Sequence, residues 1–483
     1  MTDTLPGLPL PLPELLVVLG SLALLLSRRL PPGVRRRATP AAVALVAVGL
    51  VLVLSFSALR WPLLPVLAAD LLVGAGAGVE WLRRRRGGSD RRGRRWPAVV
   101  GSLACLGLVA AGGVAAWALP VPTLPRPSGE SAVGTTVVQW TDPDREETAT
   151  PEVDDRRTVV VQLWYPAQPS TPGTPRAQYL GRTPQEAATV AGAAADYLGV
   201  PGFLLDGPPH ARSHATPDAA PASGRVPVVL FSPGLGGLRT QSTAWAEDLA
   251  SRGYVVAGVD HPYDSAAVVL ADGRVARTRI AASGDPQEDA QRRIGWTTVR
   301  AADLRFVLTQ LGRLDRGELA SPFEGLLDTG RAAVTGHSVG GAAAVRAAAQ
   351  DPRFTAVIDL DGGLDADQGP LQQPVLALTH EVRDQADADY VAHLSRLLAR
   401  GAGGGYLLTV PGSAHLTFTD APLYLPPVPA VTGTLGGAGS VRTTAATCAA
   451  FLDATVRGRP VDLPATLSRF GDLHVHPPAT APG

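Results

Sequence analysis

Gly336-His337-Ser338-Val339-Gly340 follows an apolar, strand-like run, Ala332 to Thr335, and precedes an alanine-rich helical run, Gly341 to Gln350. No other stretch limits the fold as tightly. A serine with glycines two positions before and two after it, at a strand-to-helix junction, demands a sharp elbow in which helix packs on strand without a side chain between them. The hydroxyl then stands at the tip of the turn, open to substrate, as a hydrolase nucleophile does. In a chain with 53 glycines the five-residue pattern alone has little specificity; its place between strand and helix carries the reading. Ser338 is therefore expected to be a catalytic nucleophile, the alternative being an ordinary glycine-rich turn.

The surrounding pattern fits that elbow. Short β-branched runs alternate with longer helical ones, the signature of a mostly parallel sheet covered on both faces. Strands are expected at Thr158–Tyr165, Val226–Ser232, Tyr254–Asp260, Thr355–Asp361, Pro374–Thr379 and Tyr406–Val410, with helices at Thr243–Arg252, Thr298–Gly312, Asp387–Arg400 and Ser440–Arg457. An elbow at mid-sheet with this order is an α/β-hydrolase arrangement, expected over residues 157–473.

A serine hydroxyl needs a base to take its proton, and the base needs an acid to hold its tautomer. In this fold the chain order is Ser, acid, His. Downstream of Ser338, His380 and His393 fall before or within a strand–helix unit, while His474 and His476 lie in the C-terminal tail. His415 stands in Pro411-Gly412-Ser413-Ala414-His415, a small-residue loop after the last expected strand, where a histidine returns over the elbow; it is expected to be the general base. Asp361 ends one strand, Glu381 and Asp384 follow the next, and strand geometry alone barely separates them as the acid. Asp359 alternates to the same face but lies deeper and reads as structural. The oxyanion needs two backbone N–H donors. Val339 is expected to supply one, and Leu235, in the glycine loop Ser232-Pro233-Gly234-Leu235-Gly236-Gly237, the other. That loop has no GxxxxGK[ST] pattern and is not read as a phosphate cradle.

Phe231-Ser232-Pro233-Gly234-Leu235-Gly236 with Arg239-Thr240, then Asp248-Leu249-Ala250-Ser251-Arg252-Gly253, then Asp260-His261, resembles the plasma-type platelet-activating factor acetylhydrolase family. Trp164-Tyr165-Pro166 and Gly336-His337-Ser338-Val339-Gly340-Gly341 share the likeness, which covers most of residues 155–425. The resemblance implies Ser338 as nucleophile, Asp361 as acid and His415 as base. It also implies a calcium-independent esterase favouring short or oxidised acyl chains on phospholipids. One departure matters: family members often carry a histidine where Pro233 stands, which leaves substrate range open. Secreted polyester hydrolases and cutinases share the Ser-Pro-Gly loop.

The N-terminal quarter is built for lipid. Apolar stretches at about 8–26, 41–58, 62–82 and 97–119 each approach the roughly 20 residues that cross a bilayer as a helix. Four spans are therefore expected in residues 1–120, the first retained rather than cleaved as a signal peptide. Arg28, Arg29, Arg35, Arg36 and Arg37 crowd the first loop, and Arg83 to Arg86, Arg91, Arg92, Arg94 and Arg95 the third, whereas the second has only Arg60. The positive-inside rule puts the arginine-rich loops in the cytoplasm and the C-terminal portion outside, at a bacterial plasma membrane. Asp70 and Glu80 lie in the third span and are expected to bond a neighbouring helix and the nearby arginines.

The chain carries 43 basic and 43 acidic residues, but 14 of the former and only five of the latter fall in residues 1–120. The remainder is acidic, which argues against a nucleic-acid partner. Cys105 and Cys448 cannot reasonably pair, so the outer domain is expected to fold without a disulfide. Residues 121–156 read as a polar linker, about 202–224 as a loose insertion, and 474–483 as an unstructured tail. No cofactor or metal is expected: His210 and His214 form an i, i+4 pair, but in a Pro-rich loop. The expected protein is a membrane-anchored serine esterase. A cutinase-like or small-ester enzyme is the nearest alternative, and an inactive hydrolase-fold sensory or binding protein the more distant one.

Overall fold

The structure is a computed structural model that describes residues 11–56, 59–86, 95–152, 154–363 and 369–479. It divides into two compact units, Met1–Pro122 with Phe203–His210, and Thr123–Gly202 with Ala211–Gly483.

The first unit contains α1 (Leu12–Ser27), α2 (Pro32–Phe56), α3 (Leu63–Arg85) and α4 (Arg95–Ala118). Three of these are long and apolar enough to cross a membrane, over Pro32–Ser55, Leu63–Leu82 and Val99–Ala118. The expectation of four is corrected here. Pro11 and Pro13 set the start of α1, since proline suits the first helical turn and not the interior. The resulting 16 residues reach only about 24 Å, short of a hydrocarbon core of about 30 Å. Within the unit, α1 packs tightly on α2 at two glycines. A Cβ on Gly20 would come within 2.9 Å of the Val46 amide nitrogen, and one on Gly49 within 2.9 Å of that of Val17.

Charges sit at the bundle's ends. Arg60 donates to both Glu14 carboxylate oxygens, at 2.8 and 2.6 Å, and to the Leu119 carbonyl at 2.8 Å. Arg28 lies 3.8 Å from Glu80 at the other end. Asp70 accepts a 2.7 Å hydrogen bond from Ser21 on α1. Arg91, Arg92 and Arg94 lie outside the described residues.

The second unit is a mixed α/β structure on a ten-stranded sheet. Its strands are β1 (Ala132–Glu146), β2 (Arg156–Ala167), β3 (Thr216–Pro217), β4 (Val226–Ser232), β5 (Val255–Asp260), β8 (Leu327–His337), β9 (Phe354–Leu360), β10 (Val375–Thr379), β11 (Gly405–Thr409) and β12 (Asp472–His476); β6 (Ala267–Val269) and β7 (Val275–Arg277) form a separate hairpin. The order is β12-β11-β10-β9-β8-β4-β5-β2-β1-β3. The six strands from β5 to β11 run parallel, while β2 joins β5 and β12 joins β11 antiparallel. Helices α5 (Pro184–Leu198), α6 (Thr243–Ser251), α7 (Pro286–Asp315), α8 (Val339–Gln350), α9 (Gln385–Leu398), α10 (Pro429–Thr432), α11 (Gly437–Thr455) and α12 (Leu463–Leu467) complete the unit.

Strand alternation splits the core in two. Val228, Leu230 and Val334 point to one face, packing with Leu304, Leu308 and Leu311 of α7. Val229, Phe231 and Ala333 point to the other, with Trp245 and Leu249 of α6 and Phe451 of α11. This is the period-2 rule for strands, applied to a sheet buried on both faces.

Three expectations fail here. Residues 121–156 are not a bare linker, because β1 lies within them and pairs antiparallel with β2 from Ala132↔Ala167 to Thr141↔Thr158. The tail is not wholly unstructured: His474 and His476 belong to β12, paired with β11. The segment 202–224 is ordered by two 3₁₀ turns and by β3 pairing with β1. His210 closes one of those turns in the first unit, and His214, in the second, bonds the Leu124 carbonyl at 2.8 Å. Cys105 and Cys448 are both free and buried.

Candidate active site

The elbow is built from close backbone contacts. A Cβ on Gly336 would lie 2.2 Å from the Gly340 carbonyl carbon, and one on Gly340 would lie 2.1 Å from the Ser232 oxygen. Ser338, between them, has φ +55° and ψ −127°. That conformation costs a non-glycine residue roughly 1–3 kcal/mol and persists only where the surroundings enforce it. Enforcement comes from the Ser338 N–H bonding the Leu360 carbonyl at 3.0 Å, and from the Gly341 N–H bonding the Ser338 carbonyl at 2.9 Å. The Ser338 side chain is half-buried at the N-terminus of α8.

Asp361, directly after β9, also has a positive φ, +56°. Buried Asp359 makes that turn possible by accepting the N–H groups of Gly362 and Gly363 at 2.9 and 3.1 Å. Burial, and then the nearby Asp361 charge, push the Asp359 carboxyl up to about 8. Its role is structural, as its depth in the strand implies.

Asp361 accepts a 2.7 Å hydrogen bond from His415 Nδ1. Burial opposes its ionisation, but hydrogen bonds from His380 and His415 hold the carboxyl well below the usual range. His415 is 46% exposed and Asp361 1%. Of the rival acids, Asp384 caps α9 by accepting the Asp387 N–H at 3.0 Å. Glu381 makes no hydrogen bond to either ring among the described residues.

The Ser338 hydroxyl has no hydrogen-bond partner among the described residues. Its neighbour His337 ties the elbow to the His415 loop instead. The His337 ring is buried and pushed down to about 3, first by burial and then by the adjacent His415. The neutral ring donates from Nε2 to the His415 carbonyl at 2.8 Å and accepts at Nδ1 from Gln241 at 2.8 Å. Gln241 Oε1 in turn accepts the Gly234 N–H at 2.9 Å. One chain of hydrogen bonds thus joins the glycine loop, the elbow and the histidine loop.

Arg300 of α7, fully buried, fixes the glycine loop from the other side. Its guanidinium donates to the Pro233 and Gly234 carbonyls, the latter at 3.1 Å, and pairs with Asp264. With the Gly234 carbonyl turned to Arg300 and the peptide trans, the Leu235 N–H faces the opposite way. A Cβ on Gly234 would lie 3.5 Å from the Ser338 Cβ, so the loop sits against the elbow.

His337, Gln241, Arg300 and His380 escape a sequence reading that stops at one serine, one acid and one base. Gln241 follows the glycine loop and Arg300 lies on an expected helix, but no spacing rule marks either. Asp361, His380 and His415 each have a ligand-type atom within 4.8 Å of the others. Nδ1 of each ring is already bonded to the Asp361 carboxylate.

The model of the family "Platelet-activating factor acetylhydrolase, isoform II" matches residues 122–452, more than half of the sequence. The chain belongs to that family. It is 28% identical over 234 residues to the platelet-activating factor acetylhydrolase of Gallus gallus, across 41% of this chain and 53% of that protein. It is 30% identical over 207 residues to the protein named "Probable 1-alkyl-2-acetylglycerophosphocholine esterase" of Arthroderma benhamiae, across 41% and 49%. The chain therefore spans about half the length of the curated relatives it matches. Among solved structures, a ferulic acid esterase from Streptomyces cinnamoneus superposes with a TM-score of 0.57 at 31% identity, covering 74% of this chain and 99% of that one.

Proposed function

We propose that this chain is a serine hydrolase of carboxylic esters, anchored in a membrane by its N-terminal helices. The observation that carries the reading is the 2.7 Å bond from His415 Nδ1 to buried Asp361, beside a serine held at φ +55°. With Nδ1–H donated to the carboxylate, His415 keeps Nε2 unprotonated and able to accept the Ser338 proton as Oγ attacks an ester carbonyl. Asp361 then steadies the imidazolium. The Leu235 and Val339 N–H groups take the oxyanion, and water activated by His415 clears the acyl-enzyme. The hydroxyl is unbonded before substrate arrives, as catalytic hydrogen bonds often are before a complex forms.

The relatives' names support a phospholipid ester with a short acyl group as substrate. A second reading, a small aromatic or soluble ester, draws on the ferulic acid esterase, nearly all of which this chain covers. Rates against phospholipids and soluble esters of graded acyl length separate the two. The anchor favours the first, because tethering raises the enzyme's effective concentration at a lipid surface. Dropping the first span leaves the orientation unchanged: Arg35–Arg37 lie in the first turns of α2 and Arg85 ends α3, so α4 leads outward.

A fluorophosphonate probe tests the nucleophile. Labelling is expected on Ser338 and lost in Ser338→Ala; labelling that survives this substitution removes Ser338 from the role.

A further inference from the structure

His380 follows β10 and meets the same Asp361 carboxylate as His415. Its Nδ1 lies 2.9 and 2.8 Å from the two Asp361 oxygens, and its backbone N–H donates to the same carboxylate at 3.2 Å. Its Nε2 lies 3.1 Å from Asp387 Oδ1. Asp387 also accepts the Arg383 N–H at 2.9 Å, and Tyr390 stacks on the ring at 6.3 Å. Both ring nitrogens thus face carboxylates, and an ionised carboxylate only accepts. A neutral imidazole has one N–H and one lone pair, so it would set that lone pair against one of the two anions. The doubly protonated ring satisfies both.

We propose that His380 is a positioning residue, protonated at neutral pH, that clamps Asp361 and tunes the acid limit of activity, an inference that rests on the reading of Ser338, Asp361 and His415 above. The clamp fixes the carboxylate plane so that Oδ2 meets His415. Its charge also makes a second cation on the neighbouring ring at 415 less favourable. Bonding to Asp361, with the Asp361 and Asp387 charges, lifts His380 to about 9 against the opposing effect of burial. Two further ionisable groups lie close: Arg293 acts on Asp359 and on Tyr390, and the buried His337 ring stands 4.6 Å from that of His415. Asp359 is tied to the turn, and the Arg383 guanidinium donates to the Ser413 and Pro429 carbonyls.

The full-length chain in detergent micelles provides the test. His380→Asn keeps an N–H for Asp361 but no charge; His380→Ala keeps neither. In His380→Asn the acid limb of kcat/KM is expected to move to higher pH by about one unit. In His380→Ala the same shift is expected together with a roughly tenfold fall in plateau kcat at little-changed KM, as for an interaction made in the transition state. Selective ¹⁵N-histidine NMR of the unmodified chain, with His380→Gln to assign the signal, should show both nitrogens of this ring protonated at pH 7.5. An acid limb that does not move in His380→Asn overturns the proposal, as does a ring carrying one N–H at that pH. A fluorophosphonate label found elsewhere than Ser338 would instead sink the reading of the site, while the NMR result on His380 would stand by itself.

Discussion

Two Ser–His–Asp constellations lie in the second unit, and the one with the better hydrogen bonds is not the one proposed to react. Ser232 Oγ is 2.9 Å from His261 Nε2, and His261 Nδ1 is 2.8 Å from Asp303 Oδ2. All three side chains are fully buried. The other set has Asp361 bonded to His415 at 2.7 Å and a serine hydroxyl without a partner among the described residues, yet its imidazole is half exposed. Asp303 spends its charge on Arg157 and Arg145 as well as His261, while burial holds His261 below its ordinary value. Ser232 ends an ordinary strand, whereas Ser338 sits in a strained left-handed turn. A complete relay walled in on every side is a structural tie. An open one aimed at solvent is the one proposed to react.

Matched substitutions can break the comparison. Ser338→Ala is expected to lower kcat by on the order of 10⁵–10⁶, with the thermal midpoint little changed. Ser232→Ala should keep fluorophosphonate labelling and most turnover. It should cost about 1–3 kcal/mol of stability, because a buried His261 nitrogen loses its partner. Ester turnover and urea unfolding on the two variants decide the matter; a Ser232→Ala chain as inactive as Ser338→Ala would reverse the assignment.

The acids should divide in the same way, with a smaller kinetic effect. Asp361→Asn is expected to drop kcat by about 10⁴ through the wrong tautomer of His415. Asp303→Ala should leave whatever folds labelled at Ser338 but remove about 3–5 kcal/mol, since buried Arg157 keeps only Glu147 as an anionic partner and buried His261 loses its carboxylate. Denaturation midpoints alongside kcat for both variants check this.

Much of this contrast was legible in the sequence. The elbow and the central strands follow from period and glycine placement, and β4 spans the expected Val226–Ser232; Asp361 was separated from Glu381 and Asp384 only by the family resemblance. The edges were not legible. β1 carries Asp142-Pro143-Asp144 and β12 alternates histidine with apolar residues; both hold the sheet mainly through backbone pairing, which leaves little mark on hydrophobicity. The second constellation was half legible: Asp260-His261 stood out as a motif, but Asp303 comes from mid-helix α7, and no spacing rule links it to a strand end 42 residues earlier. In the sequence His380 is only a histidine before or within a strand–helix unit. A sequence cannot tell that one carboxylate serves two rings.

Arg300 sharpens the comparison from the substrate side. It is buried like Asp303, yet its partners are the carbonyls of the glycine loop beside the open serine. Arg300→Met should release the Gly234–Leu235 peptide and lower kcat by about 10²-fold, near the cost of losing one oxyanion donor. Tight binding of a boronic-acid transition-state analogue should weaken in parallel while substrate KM holds. Equal loss of analogue and substrate affinity would show that Arg300 only shapes the binding surface.

The smallest expected effect concerns pH and stability. His380 is raised in the folded chain to about 9 from an ordinary value near 6.5. A histidine so raised contributes stability that is fully present below about pH 6.5 and is lost as pH climbs through about 9. Asp359, a carboxyl lifted by burial to about 8, also destabilises the folded chain as it ionises, so the total slope mixes two groups. Comparing the unmodified chain with His380→Asn separates them, because Asp359 is present in both. The unmodified chain should melt roughly 2–4 °C above the variant at pH 6, with the gap closing toward pH 9.5. At the buried constellation no such convergence is expected: His261 is depressed rather than raised, so a His261→Asn chain should stay destabilised across the whole range. A gap for His380→Asn that is equally flat with pH would mean its ring carries no extra proton, leaving the two constellations alike in being neutral ties.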